Sequence, residues 1–161
     1  MDVRTRQAGF LEVMRRFPTG VTIVATAEPD VEPVGLTVSS FTSVSLDPPL
    51  VLVCIDRASD THDRLVGGSR FAVSVLSAGQ SDVALRFAAE PAEGRFDAVS
   101  WRAGPKGQPL ICGAAAWLEC ATHEVLPGGD HSIILGSVEA SGIGDELSMI
   151  YHGGVFGSMD S

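Results

Sequence analysis

The spacing of apolar positions changes sharply at Pro18. Before it, Phe10, Leu11, Met14 and Phe17 recur at three- and four-residue steps, with Arg4, Arg6, Glu12, Arg15 and Arg16 off that stripe. This predicts an amphipathic helix with a core-facing stripe, ended by Pro18. After Pro18 the apolar residues are β-branched and come in short runs between Gly, Pro, Asp and Ser, predicting strands over 21–26, 34–38, 41–46, 50–55 and 71–76. A short helix is expected over 61–66, capped by Ser59 or Asp60 and ended by Gly67 and Gly68. A further helix is expected over 80–89, offering Val83, Leu85, Phe87 and Ala88 for burial. The stretch 90–109 is rich in Gly, Pro and charge and reads as loop around a short strand at Trp101. Two long strands over 114–125 and 132–143 form a hairpin through 126–131. Many short strands without regular strand–helix alternation predict a mainly β fold with added helices, a closed antiparallel barrel or a sandwich.

Length and charge narrow the function. The 161 residues, 45% apolar and 19% charged, suit one domain over 1–161 with a real core. Eleven Lys and Arg against 20 Asp and Glu give a formal charge of −9, a surface that repels a phosphate backbone and anionic lipid headgroups. Nucleic acid and membrane are therefore not expected as partners. Cys54, Cys112 and Cys120 form no C-x-x-C pair, so neither a disulfide framework nor a metal site is expected, and all three read as reduced, structural thiols, Cys54 as a buried one inside the apolar run 49–55. The segment from Met1 to Arg6 has no apolar stretch of signal-peptide type, and a cytoplasmic location is expected.

Candidate chemistry concentrates in three places. Residues 35–46 hold six hydroxyl side chains, Thr37, Ser39, Ser40, Thr42, Ser43 and Ser45. Such hydroxyls, with backbone N–H groups at a strand end, suit the edge of a flat heterocycle or a phosphate; they equally suit the solvent face of alternating strands. Asp56, Arg57, Ser59, Asp60 and Thr61 follow a buried strand at an expected helix start, where a phosphate or an ordinary cap fits. Arg86, Phe87 and Ala88 place a cation beside an aromatic near a helix end. Among the histidines, His62 and His123 lack a nearby partner in sequence, His131 follows Gly128-Gly129-Asp130 at a tight turn, and His152 lies near the C-terminus. No dinucleotide-binding glycine motif, P-loop, zinc-protease motif or nucleophile elbow is present.

Taken in order, several pieces resemble the short-chain flavin reductases, the reductase partners of two-component flavin monooxygenases. They are Phe17-Pro18-Thr19-Gly20-Val21, Gly35-Leu36-Thr37-Val38-Ser39-Ser40, Ser43-Val44-Ser45-Leu46-Asp47-Pro48-Pro49, Ser59-Asp60-Thr61, Arg86-Phe87-Ala88 and Gly129-Asp130-His131-Ser132. The resemblance implies the FMN-binding split barrel, an antiparallel β-barrel of Greek-key type. It implies hydride transfer from NADH or NADPH to FMN or FAD, with reduced flavin supplied to a separate oxygenase, and a homodimer. Thr37, Val38, Ser39 and Ser40 would hold the isoalloxazine edge. Asp56, Arg57, Ser59 and Thr61 would surround the ribityl chain and phosphate, closed by Arg86, Phe87 and Ala88. His131, as the catalytic-site residue, and Tyr151, His152, Gly153 and Gly154 would shape the nicotinamide side. Where the family often carries basic residues after the Tyr and a second Tyr further on, this chain has His152, Gly153 and Phe156. A flavin-binding module or a flavoprotein that retains its flavin, without nicotinamide-dependent turnover, is the alternative.

Overall fold

The computed structural model describes residues 2–159. Helix α1 covers Val3–Met14, followed by strands β1 (Thr19–Gly20), β2 (Thr22–Thr26), β3 (Val34–Val38), β4 (Thr42–Leu46) and β5 (Pro49–Asp56). Next come α2 (His62–Gly67), β6 (Arg70–Val75), α3 (Ser81–Ala89), β7 (Trp101–Ala103) and β8 (Pro109–Ile111). The chain ends with the long pair β9 (Ala116–Gly128) and β10 (His131–Ile143), then β11 (Met149–His152) and β12 (Val155–Ser158).

Seven strands form one antiparallel sheet in the order β3-β2-β6-β9-β10-β5-β4. Its two edge strands, β3 and β4, are consecutive in the chain, joined only by residues 39–41. Laid flat, six inter-strand spacings of about 4.8 Å would hold those edges roughly 29 Å apart. Four steps from Val38 to Thr42 can span at most about 14 Å. The sheet therefore has to curl, and the link 39–41 crosses the gap between its unpaired edges. Ser40 anchors that crossing. The β4–β5 register pairs Thr42 with Leu52, and two residues beyond it the Ser40 hydroxyl donates to the Cys54 carbonyl (3.1 Å) and accepts from the Cys54 N–H (3.0 Å). A side chain stands there for one rung of the ladder.

Curling gives the sheet two apolar faces. Inside lie Val24, Val53, Ile55, Leu65, Phe71, Cys120 and Ile134, all completely buried. Outside, Ile23, Ala25 and Leu76 cluster with Ala84 and Phe87 of α3, Phe96, Ile111 of β8 and Met149 of β11. This explains why all five residues of β2 are buried: Val24 faces one cluster, Ile23 and Ala25 the other. Glu119 is fully buried on β9, where its carboxylate accepts from the N–H groups of Lys106 (3.0 Å) and Gln108 (2.9 Å). Burial pushes the neighbouring Cys120 thiol up to about 12, so it stays protonated and packs as a hydrophobe.

Three expectations are corrected. The α1 stripe does not face this chain's core: Phe10 is 63% exposed, Leu11 55%, Met14 44% and Phe17 64%, and α1 buries no residue. Its C-terminal end is tied down by the Gly153 N–H donating to the Arg15 carbonyl. The residue at the start of α2 is Thr61, with no side-chain capping bond. Ser59 instead bonds the Thr61 hydroxyl (2.8 Å), and Asp60 accepts from the Ala92 N–H (2.7 Å). Cys54 is half-buried rather than buried.

At Gly136 on β10, an added Cβ would lie 2.5 Å from Phe71 Cζ and 2.9 Å from Cys120 Cβ. Gly136→Ala is expected to destabilise the fold by about 1–3 kcal/mol through overpacking. Thermal unfolding should register this as a fall of roughly 2–4 °C per kcal/mol; an unchanged midpoint would show that the β9–β10 pair has room to shift.

Candidate functional site

Three neighbouring grooves share wall residues on the side of the crossing link. The first, about 630 Å³, lies between the loop after β5 and the loop after α3, and includes Thr37, Asp56, Ser59, Phe87, Ala88 and Arg95. The second, about 290 Å³, shares Thr37 and Ala88 with it and adds Ser39, Tyr151, Gly154 and Phe156. The third, about 560 Å³, shares Ser39 with the second and adds Thr19, Ser40, Phe41 and Thr42. Each has the size of a small-molecule site, and together they suit an elongated ligand with a flat end.

Several hydroxyls that the sequence marks for a ligand hold the walls. Thr37 donates to the Ala84 carbonyl (2.6 Å), fixing α3 against β3 and so setting the width of the first two grooves. Ser40 makes the Cys54 clamp. Thr61 is fully buried and its hydroxyl meets that of Ser59. Val38 is buried in the inner cluster and its backbone pairs with Thr22. By contrast, Thr19 Oγ1 is buried without a hydrogen-bond partner where it borders the third groove. An orphaned polar atom costs stability until something satisfies it.

The charged candidates divide. Asp56 accepts from the Ala58 N–H (2.9 Å). Arg57 is exposed, and its N–H donates to the Asp130 carbonyl (3.0 Å), joining the loop after β5 to the β9–β10 turn. Arg86 pairs with Glu90 at 2.6 Å, one helical turn on, and does not border the first groove. The cation that does is Arg95, 6% exposed, which sequence reasoning missed. It lies in the Gly-rich loop after α3, where a lone arginine reads as solvated.

His131 opens β10 directly opposite Asp56, with Nδ1 2.7 Å from Asp130 Oδ1. That hydrogen bond holds the Asp130 carboxyl below the usual carboxylate range. Tyr151 and Gly154 wall the second groove, and the Tyr151 and Phe156 rings stand 5.4 Å apart. His152 and Gly153 border a different groove, with Arg15 and Arg16 of the α1 end. In this chain His131 thus sits at the Asp56 end, and residues 151–154 sit beside β1 and α1. Gly153 and Gly154 both have positive φ, 61° and 90°, as a two-residue turn between β11 and β12 requires.

One constellation has the look of nucleophilic chemistry. His62 Nε2 is 2.9 Å from Ser132 Oγ, and Nδ1 is 2.9 Å from Asp63 Oδ1. Ser132 is 5% exposed and borders none of the grooves described here, and the Asp63 side chain is fully exposed. The arrangement ties α2 to β10, giving His62 a partner that its sequence neighbourhood did not reveal. Among the described residues, no group of three or more His, Cys, Asp or Glu is placed to hold a metal ion, and no helix is long and apolar enough to cross a membrane.

Comparison with known proteins bears directly on this site. Residues 14–160 match the family model described as flavin reductase like domain. The chain is 44% identical over 129 residues to the stachydrine N-demethylase reductase subunit of Rhizobium meliloti, covering 80% of this chain and 56% of that one. A second Rhizobium meliloti protein, described as a probable flavin reductase, is 48% identical, with 77% of this chain and 40% of that one covered. The chain therefore spans about half the length of these two relatives. An NADH-dependent FAD reductase of Streptomyces globisporus is 48% identical over 87% of this chain and 79% of its own length. A solved structure of Streptomyces globisporus NADH:FAD oxidoreductase, in complex with NAD and FAD fragments, superposes with a TM-score of 0.90 at 42% identity, covering 99% of this chain and 96% of that one. Fold, order of motifs and overall identity agree: the chain is a split barrel that belongs to the flavin reductase like domain family.

Proposed function

We propose that this protein is an NAD(P)H:flavin oxidoreductase that passes hydride from a nicotinamide nucleotide to a flavin and supplies the reduced flavin to a separate monooxygenase. The carrying observation is the run of three neighbouring grooves, with the unsatisfied Thr19 hydroxyl in its wall. Relatives named as an NADH-dependent FAD reductase and as a reductase component of trigonelline monooxygenase support NADH as donor, FAD as acceptor and an oxygenase as partner.

The flavin and the nicotinamide, when bound, supply the hydride chemistry itself. What remains for the chain is to bind, orient and exclude water. Thr37 keeps α3 at its distance from β3. Thr19 and Ser39 offer hydroxyls to the ring edge, Ser40 and Val38 hold the backbone that presents it, Asp56 and Ser59 line the phosphate end with Phe87 and Ala88, and Arg57, Thr61 and Arg86 support that end from outside the groove wall. Tyr151 and Gly154 wall the nicotinamide side, with His152 and Gly153 behind them on the α1 groove. His131, held by Asp130 at the Asp56 end and apart from residues 151–154 within this chain, positions a cofactor rather than abstracting a proton, since hydride acceptance can draw its proton from solvent.

The exposed α1 face fits a homodimer. Phe10, Leu11, Val13, Met14 and Phe17 form an apolar surface that soluble monomers seldom leave open, and a second copy is the occupant proposed for it. The three free cysteines suit the reducing cytoplasm, where we place the protein.

NADH oxidation followed at 340 nm should depend on added flavin, fastest with FAD, and His131→Ala should raise the KM for NADH. Quenching of flavin fluorescence without NADH oxidation would select the flavin-binding module instead. Thr19→Val removes the orphaned hydroxyl at nearly constant shape, so its melting temperature should hold or rise while the KM for flavin increases severalfold; unchanged KM would remove Thr19 from the site. Light scattering should report twice the 16.8 kDa chain mass, and Leu11→Glu should shift it to the monomer.

A further inference from the structure

We propose that Arg95 is the specificity-determining cation of the first groove, making it favour flavins that carry phosphate over riboflavin, which has none. This rests on the flavin reading above. Arg95 is 6% exposed, yet it borders the groove together with Asp56, Asp60 and Glu90. Nη1 donates to the Gly35 carbonyl (2.7 Å), and Nε donates to the Glu90 carbonyl (2.8 Å), which Nη2 also meets. These partners are neutral peptide oxygens. They satisfy the guanidinium without cancelling its charge.

The charged partner is Asp60, 3.4 Å from Nη2, with its side chain 47% exposed. Solvent screens a half-exposed carboxylate far better than a buried guanidinium, so Asp60 offsets the Arg95 charge only in part at the groove wall. The other nearby cations supply less. Arg86 is engaged by Glu90, and Arg57 is exposed. Arg95 lies beside Ser59 in the first groove, away from the third groove with Thr19, Ser40 and Thr42.

The competing role is a brace: Arg95 links β3, the end of α3 and the loop carrying Asp60. The two roles differ in sign. As a brace, Arg95 and Asp60 act together, and losing either weakens every flavin alike. As a phosphate-selecting charge, Arg95 attracts and Asp60 repels.

The test titrates wild-type protein, Arg95→Gln, Arg95→Lys and Asp60→Asn with FMN and with riboflavin, following flavin fluorescence, and reads the ratio of the riboflavin Kd to the FMN Kd. Arg95→Gln is expected to lower that ratio about tenfold, the order of one charge-assisted contact, with Arg95→Lys in between. Asp60→Asn is expected to raise it about threefold, the order of a half-exposed ion pair. Parallel losses for both flavins in both variants would establish the brace and overturn the proposal. If Arg95→Gln fails to fold, Asp60→Asn decides alone, and an unchanged or lower ratio overturns it. Wild-type protein that binds neither flavin overturns the flavin reading and this inference together. Flavin binding with the expected ratios but no NADH oxidation overturns the reductase reading and supports this one.

Discussion

A short link between two sheet edges governs this molecule. Because β3 and β4 are the outermost strands of the seven-stranded sheet and only residues 39–41 join them, covalent reach overrides the sheet's freedom to lie open. Curling follows from that geometry, and the rest of the architecture accommodates it. The concave face fills with the cluster around Phe71, and the convex face needs α3 and Met149 of β11 to cover Ile23 and Ala25. Of the link, Phe41 packs against the inner cluster, and Ser39, Ser40 and Phe41 border the third groove.

Most polar side chains around the grooves are committed before any ligand arrives. Thr37 holds α3, Ser40 holds β5, Ser59 and Thr61 hold each other, and Asp56 holds the turn that follows it. A site whose walls are fixed by its own hydrogen bonds loses little conformational entropy when occupied. For a reaction whose chemistry resides in two cofactors, holding the walls still is the protein's main contribution.

Much of this was legible in the chain, for reasons that also mark where legibility ends. The β-branched run at 34–38 coincides with β3, and the expected helix at 80–89 differs from α3 by one residue. Both signals are local. The α1 periodicity identified a helix with an apolar face, but periodicity does not say what covers that face, and the covering surface is absent from this chain's own fold. Arg95 was hidden because its burial depends on Gly35, 60 residues away in sequence. The cap of α2 was misplaced because Ser59, Asp60 and Thr61 are all capable, and long-range partners chose among them: Asp60 was drawn off by Ala92. The β11–β12 hairpin carried one usable signal, the Gly153-Gly154 pair between Tyr151 and Phe156, whose meaning as a tight turn was passed over for a cofactor role.

The buried Glu119 carboxylate has an implication for how such a protein can diversify. It grips the backbone of Lys106 and Gln108 from the core side, so the far end of the loop after α3 is pinned independently of the loop's length. The link 39–41 offers no such latitude, since an added residue there would slacken the closure of the whole sheet. Insertions and deletions are therefore steered into residues 90–103, the one groove wall whose two ends are secured separately. Lineages built on this plan would change their ligand range by editing that wall, and leave the crossing link at fixed length.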